Sequence, residues 1–239
     1  MPHAPASRGL PPPRQTPLPH PVVLEADLDA PSRILWLVKW FLLIPHYVAL
    51  TGLAVVLLVG WAAAFFCVLV TGRYPRPLFD VTVGILRWGW RVGVYGFGLG
   101  STDRYPPFTL AEVPGYPARF SVRYPERLSR GLVLVTWWLL AIPHYCLIWL
   151  LYTSSIRLGV PGPVEHLEWR GPGLLSMITL VALSFLLVRG RYPGPLFEIV
   201  VGFHRWAARV TAYALLLTDR YPPFRLDLGG SEPPGAIEE

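Results

Sequence analysis

Most of this 239-residue chain is one unit written twice, so whatever fold serves the first copy must be available to the second. Ile44-Pro45-His46-Tyr47 returns as Ile142-Pro143-His144-Tyr145, and residues 72–95 match 190–213 at fourteen of twenty-four positions. The run Thr102 to Phe108 recurs whole as Thr218 to Phe224. The units are 22–110 and 118–228, joined by a linker turn at 111–117. A proline-rich tail, 1–21, and an acidic tail, 229–239, flank them and are expected to be disordered.

Each unit is dominated by apolar sequence. Hydrophobic residues are 53% and charged residues 15%, where a soluble domain carries about a quarter charged. No apolar segment precedes Ile34, so no signal peptide is expected at the start of the chain. The runs further on are long enough to cross a bilayer. The copies differ between their Tyr and Gly landmarks. Tyr47 to Gly72 is 25 residues, and Tyr145 to Gly190 is 45. The excess, 154–173, is rich in Pro and Gly and carries Arg157, Glu165, Glu168 and Arg170, which predicts a loop in water. Residues 131–153 and 174–189 then form separate helices. By repeat logic the run 33–71 also divides, with a turn in 52–56, since one helix of that length would reach about 57 Å against a hydrocarbon core of about 30 Å.

A third helix follows in each unit, at 77–100 and 195–216. Asp80, Gly84, Arg87 and Arg91 lie within about 60° of one another on it, flanked by Trp88, and Glu198, Gly202, Arg205, Arg209 and Trp206 repeat the stripe. Arginine at mid-membrane costs about 2.5–3.5 kcal/mol even on a lenient scale, so these helices are expected at the interface. Four spans then place 18 of the 21 basic residues on one side, which predicts cytoplasmic N- and C-termini. Both units start on that side, so their pseudo-twofold axis is expected along the membrane normal. The fold class predicted is an all-α integral membrane protein with four transmembrane helices, two interfacial amphipathic helices and a small juxtamembrane β-element. Four segments are candidates for that element: Val22 to Leu28, Phe108 to Leu110, Ala118 to Val122 around a Pro114-Gly115 turn, and Phe224 to Leu228.

Few residues carry chemistry. His46 and His144 follow prolines inside apolar runs; a haem or metal clamp and a solute pathway are conceivable there, but kink packing is the simpler reading. The Arg-Trp-x-x-Arg stripe (Arg87, Trp88, Arg91; Arg205, Trp206, Arg209) suits anionic lipid head groups or an acidic protein, or a structural clasp with Asp80, Asp103, Glu198 and Asp219. Cys67 and Cys146 lie in apolar runs without ligand spacing. No hydrolase, metalloprotease or phosphate-loop motif is present, the arginines form no nucleic-acid-binding patch, and neither a cofactor nor a metal is expected.

With Ile-Pro-His-Tyr in an apolar run, Gly-Arg-Tyr-Pro-x-x-Leu-Phe, Arg-Trp-x-x-Arg-Val and Thr-Asp-Arg-Tyr-Pro-Pro-Phe in tandem, the chain resembles a family of bacterial membrane proteins. That family is common in actinobacteria, is catalogued as a domain of unknown function, and often carries two copies per chain. The resemblance covers 22–228 and implies a multi-pass plasma-membrane location and no enzymatic activity. The expected function is a non-catalytic scaffold or accessory subunit whose basic cytoplasmic face meets anionic lipid, a membrane-protein partner or a second copy. A solute or ion pathway between the units is the alternative, and a haem or metal protein on His46 and His144 the weaker one.

Overall fold

The computed structural model describes residues 20–158 and 167–231, with the backbone alone for 153–158 and 167–172. Most of both predicted tails and the tip of the 154–173 loop lie outside these residues. Two helical rods form the outer layer. The first is α1 (Trp36–Leu42) and α2 (Ile44–Thr71), separated by Leu43 alone. Pro45 sits in the first turn of α2, where a missing N–H costs nothing. Gly72 ends the helix in the left-handed conformation (φ 70°), donating to the Val68 carbonyl.

No turn interrupts 52–56, which corrects the two-helix reading of 33–71. The stretch offers no proline and no polar run, and the Thr51 hydroxyl is satisfied by the Tyr47 carbonyl within the helix (2.8 Å). The length objection fails because the first helix, α1, packs around a buried lysine, Lys39, and need not lie in hydrocarbon.

The second rod comprises α4 (Arg130–Val135), a π-helical turn (Thr136–Leu140) and α5 (Ile142–Tyr152), and then α6 (Leu174–Arg189). Ser129 caps it, accepting from the Leu132 N–H. The π turn holds one residue more than the first rod has. Ser32 and Ser129 are 97 positions apart, while His46 and His144 are 98 apart. Between α5 and α6 the chain makes antiparallel strands β3 (Thr153–Leu158) and β4 (Leu167–Pro172), with Thr153 opposite Pro172. The predicted polar loop is thus a hairpin whose tip, 159–166, lies outside the described residues. Tyr152 and Gly173 are in contact, so α6 resumes where α5 stops. Their 11 and 16 residues match the 28 of α2 to within one, and the hairpin is an insertion into a single rod.

The rods run antiparallel. Leu128 N–H donates to the Gly72 carbonyl (2.9 Å), and Trp61 meets Trp137 edge-on at 5.3 Å. Arg130 lies against Gly72 at one end and Arg33 against Gly190 at the other. The axis relating equivalent contacts is therefore perpendicular to the rods, not parallel to them as expected from a common starting side. Gly190 has φ 68° and no room for a Cβ beside the Arg33 guanidinium. Gly190→Ala is expected to cost about 1–2 kcal/mol, visible as a lower melting temperature in detergent, with Gly194→Ala as the unstrained control.

Behind the rods lie α3 (Arg76–Tyr95) and α7 (Gly194–Ala214), the amphipathic third helices, within a few residues of their predicted bounds. The sheet is two-stranded. β1 (Val22–Ala26) pairs antiparallel with β2 (Ala118–Val122), Leu24 opposite Phe120. The segments 108–110 and 224–228 form no strand, because their neighbourhoods spend their carbonyls on arginines instead. The core gathers Val22, Leu24 and Phe120 of the sheet with Val83, Trp90, Phe197, Val201, Leu183 and Leu186.

Candidate functional site

On α3 the stripe faces inward. Arg87 donates from Nε to the Phe120 carbonyl (2.9 Å) and from Nη1 to Leu110 (3.0 Å), and Arg91 donates from Nη2 to the carbonyls of Thr109 and Ala111. On α7 Arg205 donates from Nε to Leu24 (3.0 Å), from Nη1 to the Asp227 carbonyl and from Nη2 to Gly229 (3.0 Å) and Gly230 (3.3 Å). Arg209 pairs with the Asp227 carboxylate at 2.6 Å. Arg91, Arg205 and Arg209 are each 1% exposed, and Trp88 and Trp206 are buried. A guanidinium enclosed in this way cannot meet a lipid head group, which corrects the expectation of lipid contact at Arg91, Arg205 and Arg209, while Arg87 is half-buried. The helix is amphipathic because its polar face holds the backbone of the following loop.

The structural clasp exists, but with different acceptors. Asp80 is exposed and pairs only loosely with Arg76 (3.8 Å), and Glu198 is exposed without an ion pair among the described residues. The acceptors are mostly loop carbonyls, which every residue possesses and no motif announces; the Asp227 carboxylate is also among them. Asp103 and Asp219 serve the rods instead. Each accepts from the N–H of a serine at a rod's start, Ser32 and Ser129, at 2.6 Å in both cases. Asp103 also binds Lys39 Nζ (2.9 Å), which donates to the Thr102 carbonyl (2.7 Å) and lies over the Tyr95 ring (4.8 Å). This buried lysine is a functional-site candidate that the sequence reading passed over, although the chain's single Lys was a signal.

His46 and His144 are fully buried, each in an aromatic box of its own half. His46 stacks on Phe108 (4.0 Å, 12°) beside Tyr105 and Trp88, and His144 stacks on Phe224 (4.1 Å, 12°) beside Tyr221 and Trp206. Trp88 Nε1 donates to His46 Nδ1 (3.1 Å), which leaves the proton on Nε2. A clamp between the two histidines is not formed, and the described residues hold no group of three or more His, Cys, Asp or Glu placed for a metal. The Tyr-Pro-Pro-Phe motif closes the box; its conserved-looking repetition within the chain is packing.

His20 is a further buried imidazole. Its Nδ1 accepts from the Val22 N–H (3.3 Å), and burial, with Arg209, Arg220 and Arg225 nearby, pushes its pKa down to about 4. The unfolded chain takes up this proton near pH 6.5 and the folded one only near pH 4, so stability is expected to fall as pH drops through that window. Melting temperature against pH should flatten there in His20→Asn.

Six exposed arginines lie at the rod ends. Arg33, Arg189 and Arg191 line a groove of about 990 Å³ with Val181, Phe185 and Leu196. Arg189 lies over the Phe185 ring at 5.3 Å. At the other end Arg73, Arg127 and Arg130 surround the Gly72–Leu128 contact. None of the six forms an ion pair among the described residues.

A family model described as a domain of unknown function, DUF4389, matches residues 33–109 and 173–225, more than half of the chain. The chain belongs to this family. The DUF4389 match takes in the first rod, α3 and the Asp103–Phe108 motif, then α6, α7 and the Asp219–Phe224 motif. It resumes at Gly173, where the inserted hairpin ends, and passes over α4 and α5. No curated protein and no solved structure is significantly similar to the chain. Two helical stretches are long and apolar enough to cross a membrane, Ile44–Thr71 and Arg130–Tyr152, and α6 is a shorter apolar helix.

Proposed function

We propose that this DUF4389 chain is a non-catalytic membrane scaffold or accessory subunit that grips anionic lipid through arginine clusters at both ends of its rods. The observation that carries the reading is the placement of uncommitted arginines at the ends of helices whose sides are apolar and open. On α2 only His46, Ala64 and Val68 are buried, while Val48, Val55, Leu58, Val59, Phe66 and Val70 are exposed. From Trp36 to Thr71 the first rod runs about 54 Å, which a single crossing fits to a bilayer of about 40–45 Å with its head-group regions by tilting. A rod that crosses once would set Arg33, Arg189 and Arg191 at one head-group layer and Arg73, Arg127 and Arg130 at the other. In the first cluster Val181, Phe185 and Val188 are exposed beside the guanidinia, where acyl chains would lie. Arginine forks suit phosphate, and each basic residue near an anionic surface is worth about 1 kcal/mol.

The test is retention of phosphatidylglycerol against phosphatidylcholine by the purified protein, measured by native mass spectrometry. Gln at Arg33, Arg189 and Arg191 together is expected to weaken phosphatidylglycerol binding at that end by on the order of a hundredfold. Unchanged preference for phosphatidylglycerol in that variant and in the Arg73, Arg127, Arg130 counterpart would refute the reading.

A further inference from the structure

The two halves differ at one position deep in each rod's first turns, and the difference points to a ligand. In the first half the buried ammonium of Lys39 meets three partners: the Asp103 carboxylate (2.9 Å), the Thr102 carbonyl (2.7 Å) and the face of Tyr95 (4.8 Å). All three recur, as Asp219, Thr218 and Tyr213. The lysine does not. Counting from the serines that open the rods, its counterpart is Thr136, which is also 1% exposed and hydrogen-bonds the Tyr213 hydroxyl, where Lys39 lies over the Tyr95 ring. Threonine ends three atoms short of a lysine ammonium and carries no charge. Its hydroxyl donates to the Leu132 carbonyl (2.5 Å).

Asp219 therefore has the setting of an ion-paired carboxylate without the cation. It is half-buried, and no Lys or Arg pairs with it among the described residues. The Ser129 N–H (2.6 Å) is its hydrogen-bond partner, and burial outweighs that bond to hold its pKa above the usual carboxylate value. Two neighbours add negative or neutral groups and no countercharge: the Tyr213 and Tyr221 phenols. Leaving a buried carboxylate without a countercharge is costly unless a proton or a cation arrives.

We propose that the second half carries a binding site for an ammonium-sized monovalent cation, bounded by the Asp219 carboxylate, the Thr218 carbonyl, the Thr136 hydroxyl and the Tyr213 ring, in the place that the Lys39 ammonium fills in the first half. Oxygen distances of 2.7 and 2.9 Å around the lysine nitrogen suit ammonium or potassium. The tyrosine face adds a cation–π contact. The site lies at the rod end beside Ser129, within reach of water. This inference stands on the Lys39–Thr136 exchange and not on the lipid reading.

The experiment compares melting temperatures of the detergent-purified full chain in potassium, ammonium and choline chloride at equal ionic strength and neutral pH. Potassium or ammonium is expected to raise the wild-type value by about 2–4 °C over choline, saturably. Asp219→Asn is expected to lose the difference. Thr136→Lys supplies a tethered ammonium, so it should lose the difference too while melting higher in choline. Lys39→Thr opens a second site and should enlarge the dependence. Equal melting in all three salts, meaning that Asp219 holds a proton instead, would overturn the proposal. So would a potassium effect that persists in Asp219→Asn or Thr136→Lys.

Discussion

Arg205→Ala is expected to prevent accumulation of folded protein. The guanidinium of Arg205 is 1% exposed and satisfies carbonyls from two separate segments, Leu24 in β1 and Asp227, Gly229 and Gly230 in the last loop. Truncation takes the guanidinium donors from the Leu24, Asp227 and Gly229 carbonyls, at about 1–3 kcal/mol each, while Gly230 keeps the Ala26 N–H, and it opens a cavity the size of the side chain. The sum is comparable to a whole domain's stability of about 5–15 kcal/mol. Arg205→Lys keeps the charge but not the planar fork, so it should recover only part of the loss. Arg91→Ala should follow the same pattern through Thr109 and Ala111, whereas Arg73→Ala, on the exposed rod end, should fold normally. The readout is monodisperse yield in detergent together with melting temperature. If Arg205→Ala folded like wild type while Arg73→Ala did not, the internal clasp would be wrong.

Asp103→Asn is the second severe change, at about 3–5 kcal/mol, because it leaves the Lys39 ammonium enclosed (2% exposed) without a countercharge, on the Thr102 carbonyl and the Tyr95 ring. Lys39→Met alone strands a carboxylate that is 28% exposed and still caps Ser32, so its cost is smaller, about 2 kcal/mol after screening by water. The double variant Lys39→Met with Asp103→Asn should recover most of the loss, since both charges are gone. Additive losses in the cycle would show that the pair is not coupled.

What the sequence disclosed about this fold was its periodic and repeated part. The duplication, the amphipathic third helices, the outer strands at Val22 and Ala118 and the insertion after Tyr152 all leave marks in residue type and spacing. The failures share a physical cause. A turn in 52–56 was inferred from length, yet a helix stops only where proline, a left-handed glycine or a competing side chain stops it, and Gly72 is the first such residue. The lipid role given to Arg91 and Arg205 failed because their acceptors are backbone carbonyls, which are present at every position and so invisible in a pattern, and that of Arg209 because it pairs with Asp227 in the last loop. Asp80 and Glu198 were legible as carboxylates near arginines on a helical wheel, but their side chains point to solvent while the guanidinia reach inward to loops. His46 and His144 are equivalents in the repeat, and each stacks on the phenylalanine that ends the second shared motif, Phe108 and Phe224. Lys39 was legible as the chain's one lysine, but its worth depends on Thr136, and that comparison needs the π turn to set the register.

On the proposed reading the first rod crosses the membrane once, with Arg33 at one head-group layer and Arg73 at the other. Single-cysteine labelling tests it most directly. With Cys67 and Cys146 replaced by Ala, one cysteine is placed at Arg73 or, separately, at Arg191, and an impermeant thiol reagent is applied to intact cells and to inverted vesicles. Single crossings predict that one position labels only from outside and the other only from inside. Labelling of both from the same side would contradict the claim and would return two spans to each half.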